Sequence, residues 1–364
     1  MSILLKLGTI IRLLKWKRNA GKFDLDRLPG ISNPKFMSAR QAASLIPDGA
    51  VAMSTGMTAT MRPAILYRAV RAVYEQTGHP KGITWIAAGG AGGRGVVPGT
   101  VEEVGLDGLV TRFISGHLET ARAQLALGEA GKCELGVLPQ GTILFLADAQ
   151  GHGEDSIVSE VGVGSFMDPR VGSGSQVIPG VGEQFVTAED EHHLRYRMPK
   201  VTVGVGIATA ADADGNIYMT GASMQGETRE ACRAARANGG VAIVTVAQVI
   251  PRNDAEIFLR ADEVDAIVVN PTNEMSLAVP QLDPWPELTP GKRGDVRAAA
   301  IKVKAINDIL KLDPPRGPIE HLLARHTASI FARNGHPGVR CIIGYGLPQE
   351  VGRLVEHGGL AHDL

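Results

Sequence analysis

Apolar positions along the chain alternate between two periods, one suited to helices and one to buried strands. SARQAASLIPDG predicts a short capped helix, with Ser38 as N-cap and Gln41 completing a capping box. Pro47-Asp48-Gly49 then closes it in a turn. AVAMST reads as a buried strand, and Arg62–Gln76 as a helix with Ile65, Ala69, Val70 and Val73 on one face. GITWIAA is the next strand. Further strands are expected at GLVTRFIS, CELGVLP, TILFLA and VTVGVGIAT, then a helix over Glu227–Asn238, then strands VAIVTVAQVI and VDAIVVN. The last runs are rich in Val and Ile without period-two polarity, as strands covered on both faces require. The fold class expected is α/β, a mostly parallel sheet with flanking helices.

The two ends read differently. In SILLKLGTIIRLLKWKR, helical spacing places Ile3, Leu7, Ile10, Ile11 and Leu14 on one face, with Lys6, Arg12, Lys15 and Lys17 towards the other. Lys6 interrupts the apolar run and no small-residue cleavage site follows before Phe23, which argues against a signal sequence. No apolar run approaches the roughly 18 residues of a membrane span. The plainest reading is a helix docked on its own protein or on a partner subunit. Contact with an anionic membrane surface and an unstructured start are the alternatives. Past Pro280, PQLDPWPELTPGKRGD has the texture of a linker. Helices are expected over Val296–Leu312, Ile319–Asn334 and Gln349–His357, with VRCIIGYGLP as a strand entering a glycine turn. The expected divisions are 1–35, 36–279, 280–318 and 319–364.

Composition narrows function mainly by exclusion. A length of 364 residues leaves room for two domains, and a net charge of -1 gives no field for nucleic acid. Cys133, Cys232 and Cys341 stand far apart with no C-x-x-C, so neither a metal site nor a disulfide framework is indicated, and a cytoplasmic location is expected. The 45 glycines are more informative, because they imply tight turns or close backbone approach. One group, Gly90-Ala91-Gly92-Gly93-Arg94-Gly95, satisfies G-x-G-x-x-G. That fingerprint needs a helix opening within the glycines and an acid about 20 residues on. VVPGTVEEVGLDG offers a Pro98-Gly99 turn instead, and no acid ends a second strand at the right distance, so NAD is not the expected ligand.

Taken in order, IAAGGAGGRG, ISGHLETARAQLALGEAGKCELGVLPQGTI, EVGVGSFMDPRVGSG, ATAADADGNIYM and RHTASIFARNG…CIIGYGLP closely resemble the family I coenzyme A transferases, in the acetate/propionate branch. The resemblance runs from about Phe36 to the last residue. It implies a first half-domain and the opening of a second α/β half-domain, incomplete at Leu364. Residue by residue, it marks the loop Gly93–Gly95, Gly116-His117, Gln140 in Leu-Pro-Gln-Gly, Asp168 and Arg170 in Gly-Ser-Phe-Met-Asp-Pro-Arg, and Gly344 with Gly346 in Gly-Tyr-Gly-Leu-Pro. Gly344 and Gly346 are the expected oxyanion donors, since glycine turns present N–H groups without side chains in the way. Gly56, Arg62, Gly93, Gly95, His117, Gln140, Asp168 and Arg170 are the expected substrate or CoA contacts. His117, the Asp168–Arg170 pair and the Asp212–Asn216 turn also have plain structural readings.

In that family a glutamate attacks the acyl-CoA and carries CoA as a glutamyl thioester before an acceptor acid reverses the steps. The resemblance therefore implies coenzyme A as substrate, no permanently bound cofactor, no metal, and acyl-CoA and carboxylic acid partners. The nucleophilic glutamate is expected beyond Leu364, so catalysis is expected to need a second-half subunit or the remainder of a longer chain, in a hetero- or homo-oligomer. A relative that binds or hydrolyses CoA esters, or a non-catalytic assembly subunit, is the alternative. A second departure from the family pattern is that Thr55 and Arg62 stand near where glycines are expected in the loop after the first strand. Arg62 either reads an acceptor carboxylate or simply opens a helix.

Overall fold

Local chemistry sets the first boundary in the computed structural model, which describes residues 3–19, 21–57, 60–93, 98–276, 279–285, 301, 309, 316–336, 338–339 and 346–358. After helix α1 (Ile3–Asn19), helix α2 (Ala39–Ala43) starts where the Ser38 hydroxyl accepts the Gln41 N–H at 3.2 Å and Gln41 Oε1 accepts the Ser38 N–H at 2.9 Å. Both bonds satisfy donors that helix geometry leaves orphaned. Ser38→Ala is expected to cost about 1 kcal/mol, measured by urea denaturation.

From there strands and helices alternate: β1 (Val51–Ser54), α3 (Ala64–Thr77), β2 (Ile83–Ala87), β3 (Val110–Ser115), α4 (Arg122–Glu129), β4 (Glu134–Val137) and α5 (Gln140–Gly151). An antiparallel insert follows, of β5 (Ile157–Ser159), β6 (Val186–Ala188) and β7 (Leu194–Tyr196). The chain returns to the main sheet with β8 (Val203–Ile207), then makes β9 (Ala210–Ala211), β10 (Ile217–Tyr218), α6 (Thr228–Ala237), β11 (Val241–Val246), β12 (Gln248–Val249), β13 (Ile257–Leu259) and β14 (Ala266–Val269). A hairpin of β15 (Glu274–Ser276) and β16 (Val279–Pro280) ends this region. Contacts divide the chain into two units, Arg12–Val296 and Met1–Ile11 with Arg297–Leu364; the second holds α7 (Pro318–Asn334) and α8 (Leu347–His357).

The central sheet is parallel throughout, in the order β14-β11-β8-β1-β2-β3-β4. Its strands are buried on both faces, which is why they read as unbroken apolar runs. Ala52, Ile83 and Trp85 pack on one face with Ala42 of α2 and Ile65 of α3. Met53, Ile86 and Ile114 pack on the other with Leu146 of α5 and Ala231 of α6. Both outer strands of the sheet are covered. Ile267 of β14 donates its N–H to Lys35 O at 2.7 Å and accepts the Met37 N–H at 3.1 Å. On the far side, the Val137 N–H of β4 goes to Ser175 O at 2.8 Å, and Gly136 bridges Gln176.

Two expectations fail locally. TILFLA is not a strand but lies within α5. Pro139 fixes the entry, and Ile143, Leu146, Ala147 and Gln150 bury at helical spacing, while Phe145 faces outward and makes the run look uniformly apolar. VAIVTVAQVI is not one strand either, because the chain leaves the main sheet at Ala247 and continues as β12 in a four-stranded sheet with β9, β10 and β13. The Asp212–Asn216 turn forms as expected. Buried Asp212 accepts the N–H groups of Gly215 and Asn216, both at 2.9 Å, and the Tyr218 hydroxyl at 2.7 Å. The helix expected over Val296–Leu312 lies almost wholly outside the described residues, as does the middle of the expected strand VRCIIGYGLP, whose Leu347 and Pro348 instead open α8.

Candidate functional site

Parallel strands bring their carboxyl ends to one edge, and the register shows which residues share it. Ser54 of β1 lies beside Ala87 of β2, Ala87 beside Ser115 of β3, and Ser115 beside Val137 of β4; on the other side Ser54 lies beside Val205 of β8. The loops leaving this row are Thr55-Gly56, Ala88–Gly93, Gly116-His117 and Leu138–Gln140. Chain order also reverses here. From β1 the sheet grows through α3 towards β2, and from neighbouring β8 it grows the other way through α6 towards β11, with the two helices on opposite faces. The crevice at such a switch point is where open α/β sheets bind ligands.

Glycine lets these loops touch one another. A Cβ on Gly116 would stand 2.4 Å from Gln140 Cγ and 2.9 Å from Ala88 O. On Gly90 it would meet the His117 ring at 2.7 Å and Thr120 Oγ1 at 2.9 Å. On Gly92 it would fall 1.8 Å from Thr120 O. Gly89 in turn abuts Met57 and Gly56 O. The structure therefore brings Gly56, Gly116, His117 and Gln140 into one continuous strip. His117 is half-buried, its N–H donating to Ser115 Oγ at 3.1 Å, and Gln140 is exposed at the start of α5.

Other expected contacts have different surroundings. The Gly93 N–H donates to Glu102 Oε2 at 3.1 Å. Asp168 is buried and held by Arg170 in a two-pronged pair of 2.8 and 2.7 Å, with the Gly164 and Arg170 N–H groups, both at 3.0 Å, completing its partners. The Arg170 guanidinium, then the Gly164 N–H, hold this carboxyl well below the usual range. Arg170 also donates to Asp190 O at 2.7 Å, so the pair ties down the long connection between β5 and β6. The Gly346 N–H donates to Gln349 Oε1 at 3.3 Å at the start of α8. Gly95 and Gly344 lie outside the described residues.

Arg62 is held in a buried ion pair. Only 3% exposed, it donates to Glu274 Oε2 at 2.9 Å from a position against Gly56, where a Cβ would reach Arg62 Cα at 3.0 Å. Glu274 also accepts the Trp16 indole N–H of α1. Burial pushes the Glu274 carboxyl up, against the pull of Arg62 and of Trp16. Arg62 Nε is buried and has no partner among the described residues. Thr55, the other departure, is fully buried; its N–H bonds Val205 O at 3.1 Å.

Sequence reasoning missed Glu227, the residue that sits at the switch point itself. It stands just before α6, is 5% exposed, and accepts the Gly56 N–H at 3.3 Å. No Lys, Arg or His pairs with it among the described residues, and burial pushes its carboxyl above the usual range, opposed by hydrogen bonds from its own N–H and that of Gly56. The available signal was an acid at the start of a helix with one apolar face. The sign of its pH effect follows. With a raised folded pKa, the wild-type loses stability as pH climbs through that value, whereas Glu227→Gln does not. Glu227→Gln is expected to melt higher than wild-type at neutral pH, with the gap closing on acidification below the usual glutamate range.

A cleft of about 660 Å³ beside β13 is lined by Arg229, Arg233, Arg252 and Arg260, but Glu263 pairs with Arg233 and Asp254 with Arg252, so its charge is largely balanced. Among the described residues no three His, Cys, Asp or Glu side chains converge as a metal would need, and no helix is long and apolar enough to cross a membrane.

The chain has known relatives. A caffeate CoA-transferase of Acetobacterium woodii is 33% identical over 214 residues, 58% of this chain and 40% of that protein. The acetate CoA-transferase YdiF of Escherichia coli K12 is 25% identical over 244 residues, 65% of this chain and 45% of that protein. The chain thus spans less than half the length of either curated relative. Among solved structures, the acyl-CoA transferase YdiF of Escherichia coli O157:H7, described as a thioester complex with CoA, superposes with a TM-score of 0.73 at 21% identity over 93% of this chain and 65% of that one. The Coenzyme A transferase family profile matches residues 36–258, more than half of the chain and the whole of the glycine-lined edge. The chain belongs to the coenzyme A transferase family.

Proposed function

We propose that this chain provides the substrate-receiving half of an enzyme that moves CoA between an acyl-CoA and a free carboxylic acid, with a second half-domain contributing the nucleophilic glutamate. In this reading the glutamate attacks the thioester carbonyl and expels the CoA thiolate, leaving an acyl–glutamyl anhydride. The thiolate then attacks the glutamyl carbonyl, releasing the donor acid and leaving a glutamyl-CoA thioester. The acceptor acid reverses both steps. CoA is a substrate throughout, and no permanently bound cofactor is called for.

The observation that carries this reading is the continuous glycine strip at the switch point, from Gly56 through Gly89 and Gly90 to Gly116. Each tetrahedral step places negative charge on an oxygen that needs N–H donors and little steric cover. Bare loop backbone, with the first turns of α5 and α6 beginning at the same edge, provides a surface of that kind. The named substrates of the two curated relatives, caffeate and acetate, share only the carboxylate, which supports a carboxylic acid acceptor and leaves its body open. Arg62 is assigned to holding the loop after β1 rather than to reading that acid, because Glu274 already occupies it. Asp168 and Arg170 are likewise assigned to loop architecture.

The test combines this chain with its glutamate-bearing second half and supplies acyl-CoA and acetate. Transfer kinetics should be ping-pong, and borohydride should trap an enzyme–CoA thioester. Hydrolysis of acyl-CoA with no acid-dependent transfer would replace this reading with a CoA-ester hydrolase, and neither reaction would leave an assembly subunit.

A further inference from the structure

The two sides of α1 are put to opposite uses. On the inward side, Arg12 pairs with Asp283 at 2.6 Å and lies over the Trp285 ring, and Trp16 donates to Glu274. These polar and aromatic contacts anchor the helix. Leu7, Ile10, Ile11 and Leu14, at i, i+3, i+4 and i+7, form one stripe that stays in solvent, with Leu7 52% and Leu14 61% exposed.

Charge decides what such a stripe suits. Between Met1 and Phe23 there is no Asp or Glu, while Lys6, Arg12, Lys15, Lys17 and Arg18 are all basic. Lys15, Lys17 and Arg18 are exposed and carry no ion pair among the described residues. At 100° per residue, Lys17 falls on one side of the apolar stripe, Lys15 on the other and Arg18 close to its centre line. An apolar band bordered by cations, on a helix too short and too charged to span a bilayer, matches the surface of an anionic membrane: the aliphatic side chains enter the acyl boundary and the lysines reach lipid phosphates. An acid-free helix has nothing to offer the basic side chains of a second copy of itself. We propose that α1 docks the protein on anionic lipid, with Leu7, Ile10, Ile11 and Leu14 inserted and Lys15, Lys17 and Arg18 at the headgroups.

The experiment is flotation of the full chain with vesicles of phosphatidylglycerol mixed into phosphatidylcholine, against vesicles of phosphatidylcholine alone. Binding is expected only to the first, falling as salt is raised. Leu7→Glu with Leu14→Glu, and separately Lys15→Glu with Lys17→Glu, are expected to reduce the bound fraction by roughly tenfold or more while leaving the melting temperature unchanged, since all four side chains face solvent. Equal binding to both vesicle types, or none to either, overturns the proposal. So does a lipid-free oligomer that the leucine variant dissociates in analytical ultracentrifugation, because the stripe would then be a contact between copies.

Discussion

Glu274→Ala is expected to destabilise the larger unit by about 3–5 kcal/mol. The substitution leaves the Arg62 guanidinium, 3% exposed and already lacking a partner at Nε, as an uncompensated buried charge. The Trp16 indole loses its acceptor in the same step. At about 2–4 °C per kcal/mol for a unit of this size, the melting temperature should fall on the order of 10 °C, read by circular dichroism or calorimetry. The compensated variant separates charge burial from lost packing. Arg62→Met combined with Glu274→Leu removes both charges and keeps volume, so it should recover most of the loss. A double variant as unstable as Glu274→Ala alone would mean that the ion pair is not what Glu274 contributes.

Gly92→Ala is expected to damage function more than its size suggests. Its Cβ would overlap Thr120 O at 1.8 Å and Thr120 C at 2.5 Å, and both are backbone atoms that no rotamer change can move aside. The loops after β2 and β3 must separate, at about 1–3 kcal/mol in stability. Displacing either loop by an ångström disturbs the edge on which substrate would sit, and misplacement of that order costs roughly 10²-fold in rate. Gly141→Ala is the control, because nothing lies within 4 Å of its added carbon and the site is helical. It should be neutral, or stabilising by about 0.5 kcal/mol. Transferase activity of the complete enzyme and thermal melts of both variants check the contrast.

These two residues also mark how far sequence reasoning reaches. β1 to β4 and the Ser38 cap follow from local apolar spacing and turn chemistry, and all were legible. TILFLA misled because four large apolar residues in a row carry no period, and only the buried side of α5 reveals the helix. The glycines were legible as loop formers, but their partners were not: that Gly92 faces Thr120 depends on β2 and β3 being neighbours. Glu227 carried only a weak local signal, for a related reason. Its burial follows from β8 lying beside β1, a pairing of segments some 150 residues apart that no local pattern encodes. The Arg62–Glu274 pair joins residues 212 positions apart and escapes local reading in the same way.

The capped flanks of the central sheet carry a further consequence. Lys35–Met37 along β14 and Ser175-Gln176 along β4 occupy outward backbone groups of Ile267 and Val137, at which a foreign strand would add. Each side is interrupted as a template for β-augmentation, which works against the sheet lengthening from one molecule into the next. Growth by strand addition to the central sheet, a route from an exposed parallel edge to fibres, is hindered at these two points. It becomes easier if the segment ahead of α2 or the loop ahead of β6 peels away, so proteolytic nicking of either segment is expected to raise the protein's tendency to aggregate.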